Sequence, residues 1–291
     1  RRFIESLKKL SGAAGLPPIK LVQDIVHGKS GFMLQVGDQR YRVQSQVSLG
    51  DEHQVQVWSK RDFVIWPWAA TSQRRPVAVF CDGWAYHKST IREDALKRSA
   101  VLASGRFWVW SITHQDVSAA LDGKLDTDLE SPLVALSRHG GDRASPGVPR
   151  AQEKAFTQHA IARLLHWLSI SPDDGAVDPA ALAMQGNAAW ATFLMVASSE
   201  NDKRAAVAQH AAWLPRVPFY IRDPGPGFAH VMARQDAPVS DAGWWPMMLA
   251  KGLPAAAGWS APSAVVLHDG DQPEAVLHSA WRQWLHFFNT A

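Results

Sequence analysis

The sequence predicts an α/β protein. A mixed sheet core flanked by helices is expected over residues 1–140, followed by a second, mostly helical α+β region over 141–291. Three observations carry this. Over 1–117, apolar and amphipathic runs follow one another as helix, hairpin, strand, strand, helix, strand. The helix at 90–105 lies between two apolar strands, which favours a right-handed crossover and a parallel pair. The stretch 136–152 ("LSRHGGDRASPGVPRAQ") is rich in Gly, Ser, Pro and charge, and predicts a boundary or a long surface loop.

The elements follow from local chemistry. Phe3, Leu7 and Leu10 give residues 3–14 a helical rhythm that Gly15 and the Pro17-Pro18 pair end. "GFMLQVGDQRYRVQSQVSL" (31–49) predicts a hairpin turning at Gly37-Asp38, with Phe32, Leu34, Tyr41 and Val43 alternating on its arms. "RDFVIWPW" (61–68) is a strand that stops at Pro67, and "PVAVFCD" (76–82) is the next. The helix 90–105 places Ile91, Ala95 and Leu102 on one face, pairs Asp94 with Arg98 at i,i+4, and ends at Gly105. "RFWVWSIT" (106–113) is apolar enough for a buried strand. Beyond the break, helices are expected at 153–169, 179–196 and 201–213, and strands at 217–223, 227–235 and 263–271. A last helix follows Pro273, with a core-facing stripe of Leu277, Ala280, Trp281, Trp284, Leu285 and Phe288.

Composition narrows the function classes. At 46% hydrophobic and 20% charged residues the chain is globular rather than disordered. Thirty basic against 27 acidic residues leave a net charge of +3, so any nucleic-acid surface has to be local. One cysteine excludes an internal disulfide and a multi-cysteine zinc site, and fits a reducing compartment. No apolar run reaches the roughly 18–20 residues of a membrane span, so the expectation is a cytoplasmic protein without membrane contact. The sequence opens ("RRFIESLKKL") and closes ("AWRQWLHFFNTA") in mid-helical rhythm, which predicts a piece of a longer chain.

The chemistry-bearing residues lie in the first half. Asp62 opens a strand after Lys60-Arg61, Asp82 ends the adjoining strand, and His87 follows. If the two strands pair, Asp62 and the Cys81-Asp82 end meet at one edge of the sheet. Carboxylates and a backbone carbonyl are the hard oxygen ligands that Mg²⁺ takes, and a histidine can carry a proton in phosphodiester hydrolysis.

These residues resemble a family. "RDFVIWP", then "VAVFCDGWAYH", then "REDALKRSAVLASGRFWVWSIT" looks like the very short patch repair endonucleases, a branch of the PD-(D/E)xK restriction-endonuclease-like superfamily. The resemblance covers about residues 1–117 and is best over 61–113. It implies a restriction-endonuclease-like fold and a Mg²⁺- or Mn²⁺-dependent DNA endonuclease. Asp62 would be the main metal ligand, with the Cys81 carbonyl and Asp82, and His87 would be a general acid or base. Glu5 is a weaker match to a helical glutamate of that branch. Phe80 stands where the wider superfamily has an acid, Asp82 where it has a lysine, and Trp84 where the branch has a cysteine. More loosely, the hairpin and closing helix resemble segments near the C-termini of large DEAD/DEAH-box helicases of bacterial phage defence. That implies DNA and an upstream helicase portion or defence-complex partner. No G-x-x-x-x-G-K-[ST] or D-E-x-H motif occurs in the chain itself.

Each feature has a plainer reading beside it. Lys60, Arg61, Arg74, Arg75, Lys97 and Arg98 form either a phosphate-facing patch or a solvated rim. Trp84 and Tyr86 either stack on bases or pack under a loop. Cys81 has no partner that would make it a nucleophile. His159 and His166, seven apart on one helix, are structural, and "RDPGPGF" (222–228) is a loop. Trp244, Trp245, Trp281 and Trp284 belong to a core or a docking face. The alternative function is therefore a nuclease fold kept as a DNA-binding or inter-domain scaffold without cleavage. A Trp-rich protein-docking module in the second half is a third reading.

Overall fold

The computed structural model describes residues 1–69, 74–129, 158–170, 228–233, 244–248, 263–268 and 273–289. At its centre is a six-stranded mixed sheet in sequential order: β1 (Ile19–Val26), β2 (Lys29–Val36), β3 (Gln39–Leu49), β4 (Ser59–Pro67), β5 (Val77–Asp82) and β6 (Trp108–Thr113). Neighbours from β1 to β5 are antiparallel, and β5 and β6 are parallel. Helix α3 (Ile91–Ala103) makes the crossover between them. The α/β class and the parallel pair agree with the sequence reading.

One face of the sheet is covered by α1 (Arg2–Lys9), α4 (His114–Leu121) and α5 (Ala160–Ser169). Phe3, Leu7, Val117, Ile161 and Leu165 meet Leu34, Val43, Ile65 and Val79 there, all buried. The second core lies on the other face, over β4–β6. Ile91 and Val101 of α3 and Trp281 and Leu285 of α6 (Glu274–Phe288) close on Val64, Ala78, Phe80 and Val109. Burying each such side chain is worth about 1.5–3 kcal/mol, which is why these helices settle on the sheet. A short sheet of β7 (Phe228–Ala233), β8 (Trp244–Met248) and β9 (Ser263–His268) has the order β7-β9-β8.

Three differences from the sequence reading have physical causes. The hairpin at 31–49 has an extra partner, β1, joined by a tight turn in which His27 and Gly28 take φ of +47° and +75°. The sequence "IKLVQDIV" hides that strand because it breaks the two-residue alternation, with Val22 and Ile25 apolar yet exposed. The first helix ends at Lys9 rather than residue 14, and a series of turns follows it. Finally, α5 and α6 lie beyond the expected boundary at 140/141 but contribute Leu164, Leu165 and Trp281 to the cores of the first-half sheet. The elements expected at 179–196, 201–213 and 217–223, and the break at 136–152, lie outside the described residues.

Polar contacts lock both outer helices in place. Thr113 and Asp116 form a reciprocal capping box at the start of α4. Asp116 also accepts from Ala160 N–H at 3.0 Å, which ties α5 to α4. His159 caps α5 by accepting from Ala162 N–H at 3.1 Å, while its Nε2 faces the Lys124 carbonyl at 2.9 Å. Burial holds the His159 pKa below its ordinary value, consistent with a neutral, structural ring.

Candidate functional site

Strands β4 and β5 pair only at Phe63↔Val79, Val64↔Ala78 and Ile65↔Val77. Beyond Phe63 they part, and Asp62 stands in the fork. Its Oδ2 accepts from the Cys81 N–H at 2.9 Å, so a side chain replaces the next rung of the ladder. On the other side of β4 the register passes from Ser45↔Phe63 to Val47↔Arg61, skipping Asp62 and Gln46, and Gln46 takes φ +56°. This irregularity puts Phe63 in the first core while Arg61 turns to the Phe80 ring of the second. β5 then ends at Asp82. Gly83 N-caps a single helical turn, α2 (Trp84–His87), and its carbonyl accepts from the Tyr86 and His87 N–H groups.

Asp62, Asp82 and His87 thus come together, as the sequence pattern anticipates. Burial raises the Asp62 pKa and the Asp82 charge adds to this, while the Cys81 N–H works against both. Asp82 is 3% exposed and ion-paired through Oδ2 with Arg98, which is 1% exposed. Arg98 also donates from Nε to Ser111 Oγ at 3.1 Å. His87 Nδ1 lies 2.7 Å from Asp94 Oδ2 and 3.7 Å from Asp82 Oδ1. The hydrogen bond with Asp94 raises the His87 pKa, against burial. Burial would raise the Asp94 pKa, but bonding to His87 and the Arg98 charge hold it below the ordinary value. Thr90 Oγ1 donates to the same Asp94 oxygen at 2.9 Å.

Two arginines share one ring. The Arg61 and Arg98 guanidinium carbons lie 4.1 and 4.3 Å from the centre of Phe80. Burial and, after it, the Arg98 charge lower the Arg61 pKa to about 10, against the opposing pull of Asp62, Asp94 and Asp82. The Nε and Nη2 of Arg61 are buried without a hydrogen-bond partner. Cys81 behaves as a packing residue, because burial and the carboxylates of Asp62 and Asp82 push its thiol well above the usual range.

The expected basic patch divides. Lys60 and Arg75 are at the surface, Arg75 lying over the Trp108 ring at 5.1 Å, and Lys97 is held by Glu93 at 2.6 Å. Arg61, Arg74 and Arg98 are buried and do not form a solvent-facing row. Arg74 instead binds the Tyr41 hydroxyl and the Leu168 and Ile170 carbonyls, fastening the C-terminal end of α5 to β3. Trp84 is also engaged within the chain. It stacks on His278 of α6 with ring centres 4.8 Å apart, and its Nε1 donates to Glu274 at 2.8 Å. Tyr86 is 85% exposed. Glu5 pairs with Arg1 at 3.0 Å on the surface of α1. Trp244 and Trp245 lie on β8, and the side chain of Trp284 lies outside the described residues.

Sequence reasoning missed Asp94 as the partner of His87, because it was assigned to Arg98 across one helical turn. It also missed the buried Asp116–His286 contact, at 3.1 Å to each carboxylate oxygen. The Thr113-x-x-Asp116 pattern could have signalled the cap, but nothing local signals a partner 170 residues away.

Among the described residues, no group of three or more His, Cys, Asp or Glu side chains is arranged to hold a metal ion. The donor types in the fork nevertheless suit Mg²⁺, which is commonly held by one or two carboxylates with waters and phosphate oxygens. Asp62 retains Oδ1, while Asp82 Oδ1 faces His87 Nδ1 at 3.7 Å beside the bond of Oδ2 to Arg98. Comparison with protein-family models, curated proteins and solved structures finds no match to this chain.

Proposed function

We propose that the chain is a restriction-endonuclease-like module that hydrolyses phosphodiester bonds of DNA with Mg²⁺ or Mn²⁺, within a larger helicase-like protein of the bacterial phage-defence kind. The observation that supports this reading is the position of Asp62 in the β4/β5 fork, electrostatically coupled to both Asp82 and His87. The Asp62 Oδ1, the Cys81 carbonyl and the Asp82 Oδ1 would hold the cation. When bound, a divalent cation offsets charge on the scissile phosphate and lowers the pKa of attacking water. His87 has Nδ1 engaged by Asp94, so Nε2 is the atom left to move a proton. Arg61, with two buried donors unpaired and its charge felt by Asp62, is a cation that a phosphate entering the fork would meet. Lys60 and Arg75 are the exposed cations of the expected patch.

The test is cleavage of supercoiled and single-stranded DNA with Mg²⁺ or Mn²⁺ by this chain and by Asp62→Ala. Metal-dependent cutting that disappears in the variant supports the reading. No cutting by this chain, alone or within the larger protein proposed here, with DNA binding retained, overturns it in favour of a scaffold. The buried Asp82–Arg98 pair favours that second reading, because it commits one of the two carboxylates to holding α3 on the sheet.

A further inference from the structure

The face of the sheet that carries α3 and α6 over β4–β6 is different over β1–β3. The register places Lys20 opposite Gln35 and Gln35 opposite Arg40. The Trp68 N–H donates to the Arg40 carbonyl at 3.1 Å and extends that row onto the end of β4. The next row runs from Val22 through β2 to Arg42 and Trp66. Lys20 and Arg40 are exposed, as are Val22 at 43% and Trp68 at 38%. Arg42 lies 4.5 Å from the centre of the Trp68 ring, which keeps a cation beside an exposed indole.

These two rows hold three cations, two tryptophans and no carboxylate. Among the described residues, none of the three cations is in an ion pair. The surface therefore offers an indole at 38% exposure beside two exposed cations, Lys20 and Arg40, with Arg42 held against the ring. Its chemistry matches a polyanion with flat apolar rings. Cations take phosphates, and the indole takes an unstacked base. A duplex keeps its bases stacked and offers the indole no ring face, so the surface selects single strands.

We propose that the β1–β3 face, with Trp68, binds single-stranded nucleic acid: a base stacks on Trp68, and Lys20, Arg40 and Arg42 hold the flanking phosphates. This does not rest on cleavage, because the surface shares no residue with the β4/β5 fork.

The experiment is fluorescence anisotropy with a labelled oligothymidine of about 20 nucleotides, in EDTA so that no cutting occurs, using the intact chain. Lys20→Glu with Arg40→Glu should weaken binding at least about tenfold and flatten the salt dependence by about one unit of log–log slope. Trp68→Ala should weaken it about fivefold or more, and Trp68→Phe should restore most of the loss. Asp62→Ala should bind as the parent does, which separates this proposal from the nuclease reading. Both Lys20 and Arg40 are exposed and unpaired, so an unchanged near-UV circular dichroism spectrum is expected for the charge variant. The proposal is overturned if the parent does not bind oligothymidine, or if the charge variant and Trp68→Ala bind like the parent. It is equally overturned if a duplex of the same length, or polyglutamate, competes as well as the single strand.

Discussion

Asn289 makes both main-chain hydrogen bonds of Ser111: its Oδ1 accepts from the Ser111 N–H at 2.6 Å and its Nδ2 donates to the Ser111 carbonyl at 2.7 Å. Ser111 lies on β6, the last strand of the sheet, so a side chain from the end of α6 stands where a seventh strand would pair. Open sheet edges invite association with other chains, and here one amide closes the middle of the edge. Asn289→Ala leaves a buried donor and acceptor unpaired and should cost about 1–3 kcal/mol in chemical denaturation. The same variant should lose amide-exchange protection first along Ser111. Protection equal to the parent's would show that the contact contributes nothing.

The Asp116–His286 contact gives an acid limb to stability. Burial alone would raise the Asp116 pKa, but the His286 charge, bonds from His286 and Thr113 and the Ala160 N–H hold it far below the ordinary value. A carboxyl depressed in the folded state contributes stability that is present above its unfolded pKa of about 4 and is lost as pH falls towards the folded value. Unfolding free energy should therefore decline below about pH 4. Asp116→Asn should be destabilised by about 3 kcal/mol or more at neutral pH, through loss of a buried pair, and should show a shallower decline in acid. Parallel acid curves for parent and variant would remove Asp116 as the source.

Asp82 and Arg98 should behave as a unit. Arg98→Met leaves the Asp82 carboxylate buried without its cation and should cost about 3–5 kcal/mol, whereas adding Asp82→Asn should recover part of that loss. A double-mutant cycle by urea denaturation measures the coupling. Additive losses would show that the two side chains are held by separate neighbours.

Gly31 gives a steric test of the β1–β3 register. A Cβ there would meet the Val43 carbonyl oxygen at 2.6 Å and the Val26 side chain at 2.8 Å. The oxygen belongs to the backbone of a paired strand and cannot move aside alone. Gly31→Ala should lower stability by about 1–3 kcal/mol in chemical denaturation. Parent-like stability would mean that β2 and β3 can separate locally at little cost.

The placement of Asp62, Asp82 and His87 was legible because it depends on local facts. Two apolar runs bounded by charged and turn residues define β4 and β5, and a short link makes them neighbours. Gly83 then starts a turn that brings His87 back over the strand end. What each group does there was not legible. Arg98 reads from its own helix as the i,i+4 partner of Asp94, yet it is spent on Asp82, and Asp94 is spent on His87. Arg74 reads as a surface cation and is a buried clamp on α5. Trp84 reads as a ring that either stacks on bases or packs under a loop, and it is stacked by a histidine of α6.

By itself the sequence determined the α/β class, the hairpin turning at Gly37-Asp38, the crossover helix and the strand-end acids. Periodicity, turn residues and short connections act over a few residues and leave little choice. Only the tertiary structure decided which charges are buried and paired, that β1 joins the sheet, and that α5 and α6 complete the cores of the first-half sheet. Those outcomes depend on apolar area and hydrogen bonds shared between segments more than 100 residues apart, as Asp116 with His286 and Ser111 with Asn289 show. No local pattern encodes a partner that only the folded chain brings within reach.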